Sequence, residues 1–262
     1  MITFAVIGHN EAPTVANAIG QAAEAAEARD RVWFVDSAST DDSAAIATSL
    51  GAEVIAAPLG KGQAMSRAIE LCETEHVCFL DADIESSTVN IPLALRGSLA
   101  AEGADMIVGE FVEPAKRTRS TSTAVYRPLV EALFPEARDR CGSTALSGFR
   151  IVSLDRPLGP LPAGFGAEVH LNVLFAATGR SIAVADVGIY RGPVRPSGHI
   201  AHDVARTILD LAEEHGRLAA ADRERWDAWA EEVVAVIRTR PEAGPLDGFH
   251  TRLAAAASRR PA

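Results

Sequence analysis

Residues 77–86 read VCFLDADIES, an apolar run that ends in Asp81 and Asp83. The run predicts a buried strand. Two neighbouring carboxylates at the end of such a strand are costly unless they are hydrated or lie beside a positive charge. A divalent cation supplies that charge, and Mg²⁺ commonly binds one or two carboxylates together with substrate phosphates. We therefore predict a metal–diphosphate site; a helix N-cap or a pair of solvated loop carboxylates is the alternative.

This strand belongs to a regular alternation of apolar strands and helices. The predicted strands of the first half are ITFAVIG, DRVWFVDS, AEVIAAP, HVCFLDAD and ADMIVGEF, and a helical segment separates each from the next. ALSGFRIVS and SIAVADVGIY predict two further strands. Strands that are apolar on both faces and alternate with helices predict an α/β fold with a mostly parallel central sheet covered by helices on both faces.

Polar residues follow four of these strands at the point where each strand ends. Because ligands of such sheets bind beyond the carboxyl ends of the strands, these residues should meet at one edge. They are His9, Asn10 and Glu11 after the first strand, residues 36–41 after the second, Gly60, Lys61 and Gly62 after the third, and residues 81–83 after the fourth. This convergence favours a metal–diphosphate site more strongly than the aspartate pair does alone.

Composition limits the classes of partner. The 262 residues are 48% hydrophobic and 23% charged, which suits one large α/β domain with or without a small appendage. The net charge of −10 argues against a nucleic-acid-binding surface. The three cysteines lack paired spacing and predict reduced thiols. The apolar opening has no basic region before it, and no run reaches the roughly 18 apolar residues of a membrane span, so we expect a cytoplasmic protein.

Four motifs resemble those of family 2-type glycosyltransferases, which have the GT-A fold. They are VIGHNEA, VDSASTDDS, GKGQA and FLDADI, and the resemblance covers roughly residues 2–210. It implies that Asp81 and Asp83 bind Mg²⁺ or Mn²⁺ at the diphosphate of a nucleotide sugar. It also implies that Asp36 contacts the base, usually uracil, and that Lys61 lines the nucleotide site. VYRPLVEALFPE, PAGFGAEVHLNVLF and DVGIYRGPVRP are similar to segments of glucosyl-3-phosphoglycerate and mannosylglycerate-type synthases.

The function implied by this resemblance is metal-dependent transfer of a sugar from a nucleotide-diphosphate sugar, expected to be UDP-linked. The expected acceptor is a small soluble molecule, anionic acceptors included. A sugar-nucleotide nucleotidyltransferase is one alternative. Such an enzyme is expected to have a Gly-rich, Arg-containing loop directly after the first strand, where this chain has GHNEAPT. A non-catalytic sugar-nucleotide-binding protein is the other. The presence of Asp81, Asp83, Lys61 and Glu168 argues against it.

The site residues expected from these arguments form three groups. The donor-binding residues are Asn10, Glu11, Asp36, Ser37, Lys61, Asp81 and Ala82. The catalytic residues are Asp83 and Glu168; Glu168 follows a Gly-hinged turn and should face the sugar or the acceptor hydroxyl. The acceptor-binding residues are Arg127, Ser147, Gly148, Arg150, His170 and Arg195, in which arginine offers bidentate donors to an anion.

The third metal ligand in the resembling synthases is a histidine shortly after the late strand, where the nearest register here gives Gly192. His199 and His202 lie three residues apart at the start of a predicted helix and share a face. We expect His199 to complete the metal shell, with His202 as the alternative.

The expected domain organisation is a GT-A domain followed by a C-terminal helical extension. The domain covers residues 1–215, with a nucleotide-sugar-binding half at 1–110 and an acceptor-binding half at 111–215, and the extension covers 216–262. Trp226 and Trp229 share one helical face in the extension and should dock that helix or a second subunit. Docking on a second subunit would make the protein a homodimer, which is one of the two alternatives.

Overall fold

The structure is a computed structural model that describes residues 1–112, 120–193, 198–241 and 246–261. In these ranges the strands are β1 Ile2–Gly8, β2 Arg31–Ser37, β3 Glu53–Ala57, β4 His76–Asp81, β5 Ser86–Ser87, β6 Met106–Val112, β7 Arg150–Ser153 and β8 Ile182–Arg191. The helices are α1 Val15–Ala25, α2 Ser43–Ser49, α3 Lys61–Leu71, α4 Ile91–Glu102, α5 Arg127–Leu133, α6 Ala167–Ala177, α7 Gly198–Glu214, α8 Ala220–Arg238 and α9 Asp247–Ala257. A π-helical turn at Ser122–Tyr126 and a 3₁₀ turn at Pro135–Ala137 flank α5.

The chain divides into two compact units. The first comprises residues 1–116 and 140–193, and the second comprises residues 117–139 and 194–262. The expected domain organisation stays a prediction, and residue 215, the expected end of the GT-A domain, lies inside the second unit between α7 and α8. The physical reason is packing: α7 contacts both α5 and α8, so its apolar face is buried among helices of the second unit.

The sheet of the first unit has the strand order β3-β2-β1-β4-β7-β6-β8-β5 over the described residues. β1 pairs in parallel with β2 and β4, and β6 pairs in parallel with β8, which confirms the mostly parallel sheet. β7 is inserted antiparallel between β4 and β6. Its first residue, Arg150, lies opposite Phe79, two residues before Asp81. The insertion therefore brings the chain before β7 to the end of β4.

The helices of this unit bury one face against the sheet. In α1 the buried residues Val15, Ala18, Ile19 and Ala22 recur with helical spacing. They join a core cluster that includes Phe4 and Phe34. Asn90 caps the start of α4, and its side chain accepts a hydrogen bond from the Leu93 amide. Gly103 caps the end in the left-handed conformation, with φ 59°. Local capping thus fixes the ends of the helix after β4.

The second unit is helical in its described residues. Trp226 and Trp229 of α8 are buried with their ring centroids 6.1 Å apart. The Trp229 indole Nε1 donates to the Ala256 carbonyl of α9 at 3.2 Å. The pair therefore docks α8 onto α9 within this chain. In the described part of the chain, none of the helices combines the length and apolarity required to cross a lipid bilayer.

Candidate functional site

The loops after β1 and β2 are tied together by polar side chains. Asn10 adopts a positive φ of 56°, and its Oδ1 accepts a hydrogen bond from the Thr40 amide at 2.7 Å. Its Nδ2 therefore donates to His9 Nε2, 3.2 Å away, which assigns the proton of the imidazole to Nδ1. That Nδ1 donates to the Ser37 carbonyl at 2.8 Å. Asp36 joins the same edge, since its Oδ1 accepts from the Ser39 amide at 2.9 Å.

Three other residues predicted to bind the donor have packing or loop-holding contacts. The Ser37 hydroxyl accepts from the Gly60 amide at 2.9 Å and donates to the Pro58 carbonyl at 3.2 Å. Glu11 is 8% exposed, and Ala82 is 1% exposed. Direct donor contacts by these three residues stay predictions.

Lys61 is the centre of a buried ion-pair cluster, which we call the Lys61 bridge: Lys61, Asp81 and Glu168. The Lys61 Nζ lies 2.7 Å from Asp81 Oδ1 and 2.6 Å from Glu168 Oε1. The side chains of Lys61 and Glu168 are only 15% and 5% exposed. Burial alone would lower the pKa of Lys61, but the charges of Asp81 and Glu168 outweigh it and raise that pKa above its ordinary value. Lys61 is therefore held as an ammonium between two carboxylates.

The loop before α6 packs directly on the turn that carries Lys61. The Gly62 amide donates to the Gly164 carbonyl at 3.1 Å, and the Gln63 amide donates to the Ala163 carbonyl at 3.1 Å. A Cβ at Gly62 would lie 1.7 Å from the Pro162 carbonyl oxygen, so only glycine fits this approach. Carbonyls thus occupy these two amides at the start of α3, and they couple the segment before Glu168 to Lys61.

Asp83 follows Asp81 of the Lys61 bridge by two residues, and a residue of β8 orients its side chain. The Tyr190 hydroxyl donates to Asp83 Oδ1 at 3.0 Å. A Cβ at Gly192 would lie 2.0 Å from that hydroxyl, so Gly192 leaves room for Tyr190. Sequence reasoning assigned no role to Tyr190. The only local signal was a tyrosine near the end of an apolar strand, which does not reveal its partner.

The donor set at the end of β4 suits a hard divalent cation. Asp81 and Asp83 offer carboxylate oxygens, and Mg²⁺ takes one or two of these with substrate phosphates. Among the residues that the structure describes, no three His, Cys, Asp or Glu side chains are grouped to hold a metal. Mg²⁺ held by one or two carboxylates takes its other ligands from substrate phosphates and water. His199 lies in α7 of the second unit, and its role as third ligand stays a prediction, as does that of His202.

Gly148 packs against the Asp81 carboxylate of the Lys61 bridge. A Cβ at this position would lie 2.2 Å from Asp81 Oδ2 and 2.5 Å from Asp81 Oδ1. The preceding residue, Ser147, is 3% exposed, and its hydroxyl accepts from the Phe149 amide at 3.2 Å. The segment that was expected to bind the acceptor therefore contacts the aspartate of the donor side.

Arg150, expected to bind the acceptor, is buried beneath the site, and a direct acceptor contact by it stays a prediction. Its side chain is 0% exposed, and its guanidinium donates to carbonyls inside the first unit. His170 is half-buried on α6, with Nε2 3.1 Å from the Leu158 carbonyl. Arg127 is exposed at the start of α5 in the second unit. Arg195 lies outside the described residues. Acceptor contacts by Arg127 and Arg195 stay predictions.

Gly148→Ala is expected to displace Asp81 and to reduce activity strongly. The methyl group would overlap the Asp81 carboxylate, and relieving such overpacking typically costs about 1–3 kcal/mol of stability. Gly97→Ala is the control, because nothing lies within 4 Å of its added Cβ in the middle of α4. Gly97→Ala should instead stabilise the protein by roughly 0.5–1 kcal/mol and keep its activity. Urea unfolding and initial rates test both; wild-type rates in Gly148→Ala would contradict the close approach.

Tyr190→Phe is expected to weaken Mn²⁺ binding by about 10-fold or more, because partners that orient ligating carboxylates typically contribute 10–100-fold. The control is Thr88→Val, which removes the hydroxyl that accepts from the Ile189 amide of β8 at 2.9 Å without touching Asp83. Electron paramagnetic resonance titration of Mn²⁺ measures both affinities. Equal losses in the two variants would show that loosening of β8, and not orientation of Asp83, sets the affinity.

Comparison with known proteins places this geometry among glycosyltransferases. The model of the family described as Glycosyl transferase family 2 matches residues 3–146, more than half of the chain. Glucosyl-3-phosphoglycerate synthase of Mycobacterium tuberculosis is 28% identical over 210 residues, which cover 69% of this chain and 63% of the relative. An uncharacterized glycosyltransferase of Rickettsia felis is 42% identical over 87 residues, 33% of this chain and 30% of the relative. The chain thus spans less than two-thirds of these curated relatives.

A solved structure shares the fold. The crystal structure of glucosyl-3-phosphoglycerate synthase from Mycobacterium tuberculosis in complex with Mn²⁺, uridine diphosphate and phosphoglyceric acid has a TM-score of 0.70 and 26% identity. The match covers 81% of this chain and 78% of that one. The GT-A fold expected from the four motifs is thereby confirmed.

Proposed function

Because the chain belongs to glycosyl transferase family 2, we propose that it transfers a sugar from a nucleotide-diphosphate sugar to a small anionic acceptor. The observation that carries this proposal is the Lys61 bridge at the carboxyl end of β4, with Asp83 two residues beyond Asp81. A donor linked to UDP and an acceptor of the phosphoglycerate class are proposed because the similar synthase binds uridine diphosphate and phosphoglyceric acid.

The donor is proposed to bind along the ends of β1 to β4. Asn10 and Asp36 belong to the edge tied together by the loops after β1 and β2, where they would position the nucleoside. Asp81 and Asp83 would hold Mg²⁺ or Mn²⁺. When bound, such a cation neutralises charge on a departing diphosphate. Rigid loops suit this task, because a preorganised edge lowers the cost of ordering a flexible ligand.

Glu168 is proposed to face the reacting sugar. The Lys61 Nζ lies 2.6 Å from its Oε1 and holds the carboxylate in place. A fixed anion stabilises the positive charge that develops on a sugar ring during glycosyl transfer. Glu168 would therefore act on the sugar or orient the acceptor hydroxyl, and the bound Lys61 limits its movement.

Two finer parts of the proposal concern the cell and the assembly. We place the reaction in the cytoplasm, since nucleotide sugars and phosphorylated metabolites are substrates available there. A homodimer is a further proposal, which measurement of the mass in solution by light scattering tests.

Thermal unfolding with nucleotides tests the function. UDP, GDP, ADP and CMP are added singly, with and without Mn²⁺, and a ligand at 100 times its dissociation constant stabilises by about 2.7 kcal/mol. We expect a Mn²⁺-dependent shift with UDP, followed by slow release of UDP from the matching nucleotide sugar. A shift without any turnover would indicate a non-catalytic binding protein. No shift with any nucleotide would overturn the proposed donor site.

A further inference from the structure

Arg150 has the largest of the wholly buried side chains in the described residues, and it lies beneath the proposed site. We propose that Arg150 is a positioning residue that holds the Gly148 segment and the first turns of α6 in fixed register, and thereby fixes Asp81 relative to Glu168. This inference rests on the proposed function, because it concerns the geometry of the same site. It assigns Arg150 no contact with substrate.

Arg150 contacts the segment before β7 through two of its nitrogens. Its Nη2 donates to the Ser147 carbonyl at 2.5 Å and to the Ala145 carbonyl at 3.3 Å, and its Nε donates to the Ser147 carbonyl at 3.2 Å. The next residue along the chain is Gly148, which rests against the Asp81 carboxylate. The guanidinium therefore holds the backbone that packs on Asp81.

Arg150 also contacts α6. Arg150 Nη1 donates to Asn172 Oδ1 at 3.1 Å and lies 3.4 Å from the Glu168 carbonyl. Asn172 is 0% exposed, and its Nδ2 donates to the Ala145 carbonyl at 2.8 Å. The Ala145 carbonyl thus receives hydrogen bonds from both side chains, which closes the connection between the segment and the helix that carries Glu168.

The position of Arg150 on the sheet makes this connection rigid. It is the first residue of β7 and pairs with Phe79 of β4, the strand that ends at Asp81. A planar guanidinium offers five N–H donors in a fixed fork and reaches two segments at once. A lysine ammonium carries its three N–H donors on a single nitrogen, so it cannot reproduce the separate contacts that Nε, Nη1 and Nη2 of Arg150 make. The contacts of Arg150 therefore require arginine and not merely a buried positive charge.

The test compares Arg150→Lys with Val152→Ala. Val152 is also wholly buried, lies two residues further along β7, and pairs with Val77 and Met106 in the neighbouring strands. We expect Arg150→Lys to lower kcat about 10²-fold, the loss typical of a displacement near 1 Å, while the KM for the nucleotide sugar stays within about threefold. Val152→Ala should lower the melting temperature but leave kcat per folded molecule near the wild-type value.

Amide hydrogen exchange supplies a readout that does not depend on activity. In Arg150→Lys we expect faster exchange in both residues 145–149 and residues 167–172. In Val152→Ala we expect unchanged exchange in both segments. Asn172→Ala cuts the same connection from α6 and replaces Arg150→Lys if that variant does not fold. Equal kcat in Arg150→Lys and Val152→Ala, or unchanged exchange in both segments, would overturn the inference. If the wild-type protein transfers no sugar, the proposed function fails, and exchange alone then decides whether Arg150 holds the two segments.

Discussion

Lys61→Met is expected to lower the free energy of unfolding by about 3 kcal/mol and to abolish sugar transfer. Removing one partner of a buried ion pair typically costs 3–5 kcal/mol, because the remaining charge is buried without compensation. The lower end applies here, since Asp81 keeps 29% exposure while Glu168 keeps only 5%. Activity is lost because both carboxylates of the proposed site lose the cation that fixes them. Urea unfolding and initial-rate measurements test the two parts.

Two further variants isolate the cause. Arg67→Met removes a cation from the same helix, but Arg67 is 38% exposed and pairs with Glu70 on the surface, so we expect a loss below about 1 kcal/mol. Glu168→Gln in the Lys61→Met background removes the uncompensated charge and should recover part of the stability. No recovery would show that lost packing of the Lys61 methylenes, and not charge, explains the effect.

The stability that Lys61 contributes, measured as the difference between wild type and Lys61→Met, is expected to depend on pH in a defined way. Burial alone would lower the pKa of Lys61, but Asp81 and Glu168 raise it above its ordinary value of 10.5. A pKa that is higher in the folded state means that the ammonium stabilises the protein fully below pH 10.5, and that this contribution is lost as the pH rises through the folded-state pKa. The stability difference between wild type and Lys61→Met should therefore be constant from about pH 7 to pH 9. A difference that already shrinks near pH 8 would contradict the Lys61 bridge.

Asp83→Asn is expected to reduce metal-dependent turnover by roughly 10²–10³-fold, because a cation at a transferring phosphate contributes several kcal/mol. Asparagine keeps an oxygen that can accept from the Tyr190 hydroxyl, so the fold should be preserved. The negative charge that attracts the metal is lost. Titration with Mn²⁺ should show weaker binding that parallels the loss of rate.

Glu85→Gln is the matched control for Asp83→Asn. Glu85 follows two residues later in the same loop, is exposed, and is tied to Arg191 through its main-chain amide. The substitution also removes one carboxylate and should leave Mn²⁺ affinity and turnover near wild-type values. Wild-type turnover in Asp83→Asn would refute the assignment of Asp83, and an equal loss in Glu85→Gln would indicate a general effect of acidic charge.

The strands and the edge at which the site forms were predictable from local pattern. Apolar runs alternating with helices specify a covered parallel sheet, and the carboxyl ends of parallel strands meet at one edge. Asn10, Asp36, Lys61 and Asp81 therefore had to lie near each other once the strands were recognised. The packing of α7 against α5 and α8 was not predictable in this way, because the apolar face of α7 does not reveal which helices cover it.

The sequence determined the covered sheet and the polar residues at its strand ends, because hydrophobic periodicity and strand termini are local properties of the chain. Only the tertiary structure decided which charges compensate one another. Lys61 joins Asp81 to Glu168, and Arg150 is buried and donates to the Ser147 and Ala145 carbonyls. The physical reason is that such contacts join segments distant in sequence. Their partners depend on the antiparallel insertion of β7 and the packing of α6, which no repeating pattern of residues encodes.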